Sequence, residues 1–209
     1  KRIILTVIGC VLAVAMIFCM DNFAGNFTLR VFNLCAIYIV LALSMNLLNG
    51  FTGLFSLGHA GFMAIGAYVC ALLTMSPTQK TLNFFLAPIV PWLANVQLPF
   101  ILALVIAGSV AAIFAWIIGT PVLRLRDDYL AIATLGFAEI IRVLITNMQT
   151  ITNGALGLKG LPKYSTTWVV WSVAALTVIF MFALIRSPYG RALKAVRDNE
   201  IAAQAMGID

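Results

Sequence analysis

Long apolar runs separated by short polar stretches make up most of this chain. Six runs are long enough, or nearly so, to cross about 30 Å of hydrocarbon as helix. They are Ile3–Met20, Val31–Leu48, Ala60–Met75, Phe100–Ile118, Tyr129–Thr146 and Trp168–Ile185. The third is short and contains glycine, so its start is expected to reach back toward Phe51. A seventh stretch, Leu82–Val96, is apolar but carries Pro88 and Pro91. It reads as a re-entrant or interfacial segment, which requires protein to cover it. No connection is long enough for a soluble domain, so residues 1–209 read as one membrane domain. The pattern predicts an all-α, polytopic integral membrane protein.

The last apolar run stops at Arg186 and gives way to RSPYGRALKAVRDNEIAAQAMGID. Such a charged tail lies in water. Ser187 can cap a helix and Pro188 can take its first position. Arg191, Lys194 and Arg197 recur every three residues and form one basic stripe. Asp198 is expected to cap a second short helix, Asn199–Met206, with Gly207 at its exit. The tail reads either as a grip for a soluble partner or as a solvated helix near anionic lipid headgroups.

Composition agrees with a bilayer solvent. The chain is 63% hydrophobic and 10% charged, against about 45–50% and about 25% in soluble domains. The net charge of +6 does not indicate nucleic acid, because the basic residues sit at the ends of apolar runs and set orientation. Lys1, Arg2, Arg124, Arg126, Arg186, Arg191, Lys194 and Arg197 fall on one side of an alternating six-span path. Arg30, Lys80, Lys159 and Lys163 fall on the other. The excess marks the first side, with both termini, as cytoplasmic. A spanning Leu82–Val96 would break that alternation. Lys1 and Arg2 before an apolar run fit a signal peptide, but Phe18-Cys19-Met20 is not a small-residue cleavage site, so a retained helix is expected. Cys10, Cys19, Cys35 and Cys70 have neither disulfide nor metal spacing.

Nothing in the sequence looks catalytic. His59 is the single histidine, and no carboxylate, Cys and His cluster has metal spacing. The phosphate-binding pattern GxxxxGK[ST] is missing, so any ATP is bound by another chain and no cofactor is expected here. Three stretches carry polar groups into apolar surroundings. Asn46–Tyr68 holds Gly50, Gly53, Gly58, Gly61 and Gly66 together with Ser56 and His59. It reads as close helix packing, with a pathway wall or hinge as the functional alternative. Glu139 and Arg142 lie three residues apart in the fifth run, near mid-depth. They can pair, and are expected to face inward as a packing bridge or a gate. Asn153–Lys163 is a turn-rich outer loop that could touch an external partner.

Three motifs together resemble one family. GFTGLFSLGHAGFMAIGAY, LRLRDDYLAIATLGFAEIIR and RSPYGRALKAVRDNEIAAQAMGID are similar, in this order, to the membrane permease of high-affinity branched-chain amino acid importers. These are ATP-binding-cassette (ABC) systems, and the similarity is to the LivM type. The resemblance implies that Gly190, Arg191, Ala192, Arg197, Asp198, Asn199, Glu200, Ala203 and Gly207 form the cytoplasmic segment that docks on the ATPase. It implies that the glycine-rich segment through His59 lies near the translocation route. It also implies ABC ATPase subunits, a second homologous permease, an extracytoplasmic amino acid-binding protein and membrane lipid as partners, in a bacterial inner membrane. Where the family usually shows Thr-Gly-Gly-Pro, this chain reads Thr152-Asn153-Gly154-Ala155. Family permeases continue with further spans beyond the tail motif, so the chain is expected to be part of a longer permease. The implied mechanism is alternating access driven by the ATPases. Other readings are an importer of amides or urea, an ion-gradient-driven transporter or channel with Glu139 as its deep acid, and a non-transporting scaffold.

Overall fold

The computed structural model describes residues 14–22, 25–85, 87–125 and 128–208. Regular structure among them is helical. Most of the first apolar run lies outside the described residues; residues 14–22 form helix α1. Helix α2 (Asn26–Asn46) begins before Val31 and continues into a π-helical turn, Leu47–Thr52. The turn ends at Gly53, whose φ of 74° is the left-handed conformation that glycine adopts without strain. Then come α3 (His59–Thr74), α4 (Pro77–Asn83), α5 (Pro91–Ala94) and α6 (Phe100–Val122). Helices α7 (Asp128–Asn147), α8 (Gln149–Thr152), α9 (Thr167–Arg186), α10 (Pro188–Asp198) and α11 (Glu200–Ala205) complete the order.

Four stretches are long and apolar enough to cross a membrane: Asn26–Thr52, Phe100–Val122, Tyr129–Asn147 and Thr167–Arg186. Helix α3 is apolar but has 16 residues. Its start does not reach back to Phe51, because residues 53–58 are not helical and Phe51 belongs to the turn that ends α2. The left-handed Gly53 breaks the run there.

The helices group into two compact units, residues 1–53 with 165–209 and residues 54–164. In the first, α2 lies along α9. The two run parallel, because contacts near their N-terminal ends match: Asn33 Nδ2 donates to Thr167 Oγ1 at 3.4 Å, and Phe32 stacks on Trp171 at 4.5 Å. Ala36, Ala174 and Met181 are buried in this unit.

In the second unit α3 lies along α6 and α7. Small residues permit the approach. A Cβ built on Gly61 would sit 2.9 Å from Ile141 Cδ1 and 3.1 Å from Ala138 Cα. Gly58 meets Thr134 at an ordinary 3.4 Å, and Gly66 leaves 3.9 Å to Ala111. Leu98 N–H donates to the Leu73 carbonyl at 2.8 Å, so the end of α3 meets the start of α6. The segment between them therefore returns to the face it left and does not cross. Ser76 and Gln79 open α4 with a reciprocal capping box, and Pro91 opens α5. Phe84 and Leu93 bury themselves with Leu72, and Ile89, Ile151 and Leu158 pack around them. Protein covers this proline-broken stretch only in part: Phe84 and Leu93 are buried, while Leu82, Phe85 and Trp92 are exposed.

Candidate functional site

The polar tail is built on a tight corner. Ser187 N–H donates to the Leu184 carbonyl at 3.1 Å, and Ser187 Oγ accepts from Gly190 N–H at 3.3 Å. Gly190 is buried, and a Cβ there would run into the carbonyl oxygens of Leu184 and Ile185. The corner thus admits glycine alone. Beyond it α10 turns its basic residues in two directions. Arg191 is exposed. Lys194 Nζ lies 5.5 Å from the centre of the Phe51 ring, within cation–π range. Arg197 Nη1 donates to the Gly50 carbonyl at 2.9 Å, while Nε and Nη2 reach Asp198 at 3.2 and 3.1 Å. The stripe read from spacing is therefore split, with two of its three members against the turn that ends α2.

Asp198 is not the cap of the next helix. It stays in α10, and Asn199 takes the extended conformation and accepts from Ala202 N–H at 3.0 Å. Either residue type caps well, so the one-residue offset follows from Asp198 remaining helical beside Arg197. Glu200 occupies the first turn of α11, where a carboxylate complements the helix dipole. Ala203 is buried and its carbonyl accepts from Ile208 N–H at 3.0 Å; Gly207, φ 81°, makes the exit. Ala192 is half-buried. Tyr189, Ile201 and Met206 are 76%, 81% and 83% exposed, an apolar surface that sequence reading did not single out.

A second candidate region lies in the unit of α3, α6 and α7. An open groove of about 440 Å³ runs between α3 and α7. Leu57, Gly61, Ala64 and Tyr68 line one wall, Glu139 and Arg142 the other. The two charges form a bidentate pair, Nε to Oε2 at 2.8 Å and Nη2 to Oε1 at 2.5 Å. Arg142 is 67% and Glu139 54% exposed, and both side chains line the groove. An ion pair at that depth cannot rest against hydrocarbon, so water or another protein surface must meet it. Nearby, Gly58 N–H donates to Ser56 Oγ at 3.4 Å, and His59 opens α3 with its Nδ1 buried and without a hydrogen-bond partner. We expect Glu139→Gln to lower the stability of the folded protein, and exchange of both charges to recover part of it. Unchanged thermal unfolding in detergent for both single substitutions would show that the pair holds nothing in place.

The third region is a cap at one end of the same unit, where residues 75–99 meet 148–164. Asn83 Nδ2 donates to the Lys159 carbonyl at 3.0 Å and Asn83 Oδ1 accepts from Lys159 N–H at 2.7 Å. Gln79 Nε2 donates to the Gly160 carbonyl at 3.0 Å, and Val90 N–H to that of Thr150 at 3.3 Å. Asn153 stands at a left-handed φ of 63°, and its Nδ2 donates to the Gly157 carbonyl at 2.7 Å. Asparagine is the residue after glycine that best tolerates this conformation, so the departure from Gly-Gly costs the loop little. Lys80, read from sequence as one more outer charge, is fully buried. Its Nζ donates to the carbonyls of Leu93 at 2.8 Å and Val96 at 2.5 Å, and burial holds its ammonium pKa below the ordinary lysine value. No local signal in the sequence marks the lysine as buried. Lys80→Met should leave both carbonyls short of a donor, at about 1–3 kcal/mol. Faster amide exchange confined to residues 77–98 is the expected readout; unchanged exchange would show that the lysine adds nothing.

The fold and these sites define a class: a helical, multi-pass membrane protein in which a polar helical segment follows α9. The chain belongs to the family described as branched-chain amino acid transport system / permease component, which it matches over residues 27–209. It is 37% identical over 215 residues to the high-affinity branched-chain amino acid transport system permease protein LivM of Escherichia coli strain K12, covering 87% of this chain and 46% of that one. It is 36% identical over 206 residues to the protein of that name from Salmonella typhimurium, covering 82% and 44%. A probable branched-chain amino acid transport permease protein LivM of Methanocaldococcus jannaschii is 26% identical over 201 residues, covering 83% and 57%. The chain spans about half the length of the curated relatives it matches. No solved structure matches it.

Proposed function

We propose that this chain is pathway-forming sequence of a permease in an ATP-driven importer of branched-chain amino acids, set in a bacterial inner membrane. The observation that carries the reading is the tail. A capped amphipathic helix, α10, is fixed to the end of a span by a glycine-only corner and followed at once by α11. Tyr189 and Arg191 on α10, Ile201 on α11 and Met206 just after it are exposed to solvent. Aromatic, Arg and long apolar side chains are the usual anchors of a small interface. The partner here is an ABC ATPase that binds and hydrolyses the ATP.

The tail and the residues 124–128 connection then lie in the cytoplasm, and the Lys80 cap lies outside, facing a binding protein that delivers the amino acid. A second permease completes the route. ATP-driven closure of paired ATPases shifts the spans between two packings, one open to each side. The Glu139–Arg142 groove is the water-exposed wall of that route. The names of the relatives supply the substrate class.

The test uses the complete permease co-expressed with its ATPase. Ile201→Asp and Met206→Asp should each reduce co-purified ATPase about tenfold or more, the loss expected for an interface anchor. Full recovery of ATPase with both variants would overturn the docking reading. Impermeant labelling of cysteines placed at Ser165 and Ser187 in intact cells checks sidedness; reaction at Ser187 from outside would reverse it.

A further inference from the structure

We propose that Arg197 is a positioning residue that clasps α10 to the turn ending α2, so that force on the tail enters α2 directly as well as through α9. The inference rests on the reading of α10 as the ATPase-docking helix. What it adds is that Arg197 faces its own chain rather than the ATPase.

Four observations meet at this point. Arg197 Nη1 holds the Gly50 carbonyl at 2.9 Å. That carbonyl belongs to a π-helical turn, whose wider winding leaves backbone groups without ordinary helical partners and is common at functional sites. The arginine stem lies over Gly53: a Cβ there would meet Arg197 Cγ at 2.8 Å and Cβ at 3.6 Å. Gly53 also has a left-handed φ of 74°, which favours glycine without excluding a side chain once the Arg197 stem is removed. Lys194 adds a cation over Phe51, and Asp198 orients the guanidinium from below. The side chain thus makes three directed hydrogen bonds and packs its methylenes on a glycine.

The geometry of the unit gives the clasp a mechanical use. Helices α2 and α9 run parallel and are joined near their starts by Asn33 to Thr167 and Phe32 to Trp171. At the far end α9 continues into α10 through the Gly190 corner, and α10 returns to α2 through Arg197. The three helices form a closed frame. Without the clasp the frame is open at one corner, and a pull on α10 bends the Ser187–Gly190 corner instead of moving α2.

The experiment uses the complete importer in proteoliposomes with its ATPase and binding protein. Arg197→Ala should leave the amount of bound ATPase unchanged. Stimulation by liganded binding protein and uptake should both fall, uptake by about tenfold or more, the size of one lost charge-assisted hydrogen bond. Arg197→Lys should recover part of the uptake. The separation of 3.6 Å between a Cβ on Gly53 and Arg197 Cβ suits a disulfide. In a background without other cysteines, the double variant Gly53→Cys, Arg197→Cys should be uncoupled when reduced and regain uptake when oxidised.

Three results would overturn the clasp. Loss of bound ATPase in Arg197→Ala would make the residue a docking contact. Normal stimulated hydrolysis in that variant would make it dispensable. Inhibition on closing the disulfide, relieved by reductant, would show that α10 and the turn separate during the cycle. A failure of the docking reading itself appears elsewhere, as ATPase retained by the Ile201 and Met206 variants.

Discussion

On the proposed reading, replacing Gly190 with tryptophan should uncouple transport by the complete importer while the permease still inserts into the membrane. The position has no room even for a Cβ, which would overlap the backbone oxygens of Leu184 and Ile185. Backbone cannot rotate aside as a side-chain tip can, so any side chain opens the corner and swings α10 away. Helix α9 keeps its own hydrogen bonds and apolar surface, so insertion is spared. Uptake should fall by more than about tenfold, each factor of ten reflecting about 1.4 kcal/mol of lost docking free energy. Gly190→Ala should lie between tryptophan and the parent. The checks are uptake and binding-protein-stimulated ATP hydrolysis. Normal values for both would show that the corner plays no part in coupling.

Replacing Gly61 with leucine should destabilise the permease itself. A Cβ at Gly61 would press on Ala138 Cα at 3.1 Å, and leucine adds a branched group beyond it. Ile141 Cδ1, at 2.9 Å, can rotate away; the α7 backbone cannot. Overpacking of this kind costs about 1–3 kcal/mol or more. Thermal unfolding in detergent should shift down and expression should drop. Gly66→Ala is the matched control, since a Cβ there has 3.9 Å to its nearest neighbour and should change nothing. Equal stability of the two variants would mean that α3 and α7 are not held at this distance in the membrane.

What the sequence made legible divides along the range of the interactions involved. Apolar runs need only a count against bilayer thickness, so the long helices could be read directly, with ends displaced by a few residues. The pairing of Glu139 with Arg142 was equally local, because three residues bring side chains onto one helix face. The direction that face points was not local. Helix α3 has no strongly polar side, and nothing within α7 says which neighbour meets its charged face. Lys80 shows the same limit: its acceptors are the carbonyls of Leu93 and Val96, and only the folded cap brings them together. The stripe of Arg191, Lys194 and Arg197 was legible as a stripe. Which members turn inward depends on how α10 folds back at Gly190 onto a turn well over one hundred residues earlier in sequence, about the range at which local patterns carry no information. Asn199 displaced Asp198 as a cap for a smaller reason, since both residues satisfy the same rule and an adjacent arginine decides between them.

One feature of α3 bears on what surrounds the protein. Sixteen helical residues extend about 24 Å, some 6 Å short of the hydrocarbon layer. A crossing at α3 would draw on the non-helical backbone before it, residues 54–58, where Leu57 N–H uses Thr134 Oγ1 and Gly58 N–H uses Ser56 Oγ. Peptide groups of this kind cannot be solvated by acyl chains. Phe55 and Leu57 are nevertheless exposed, Leu57 in the wall of the groove. Lipid is thus the wrong solvent for this one stretch of an otherwise lipid-soluble molecule, and a neighbouring polypeptide or a column of water has to serve as its solvent there.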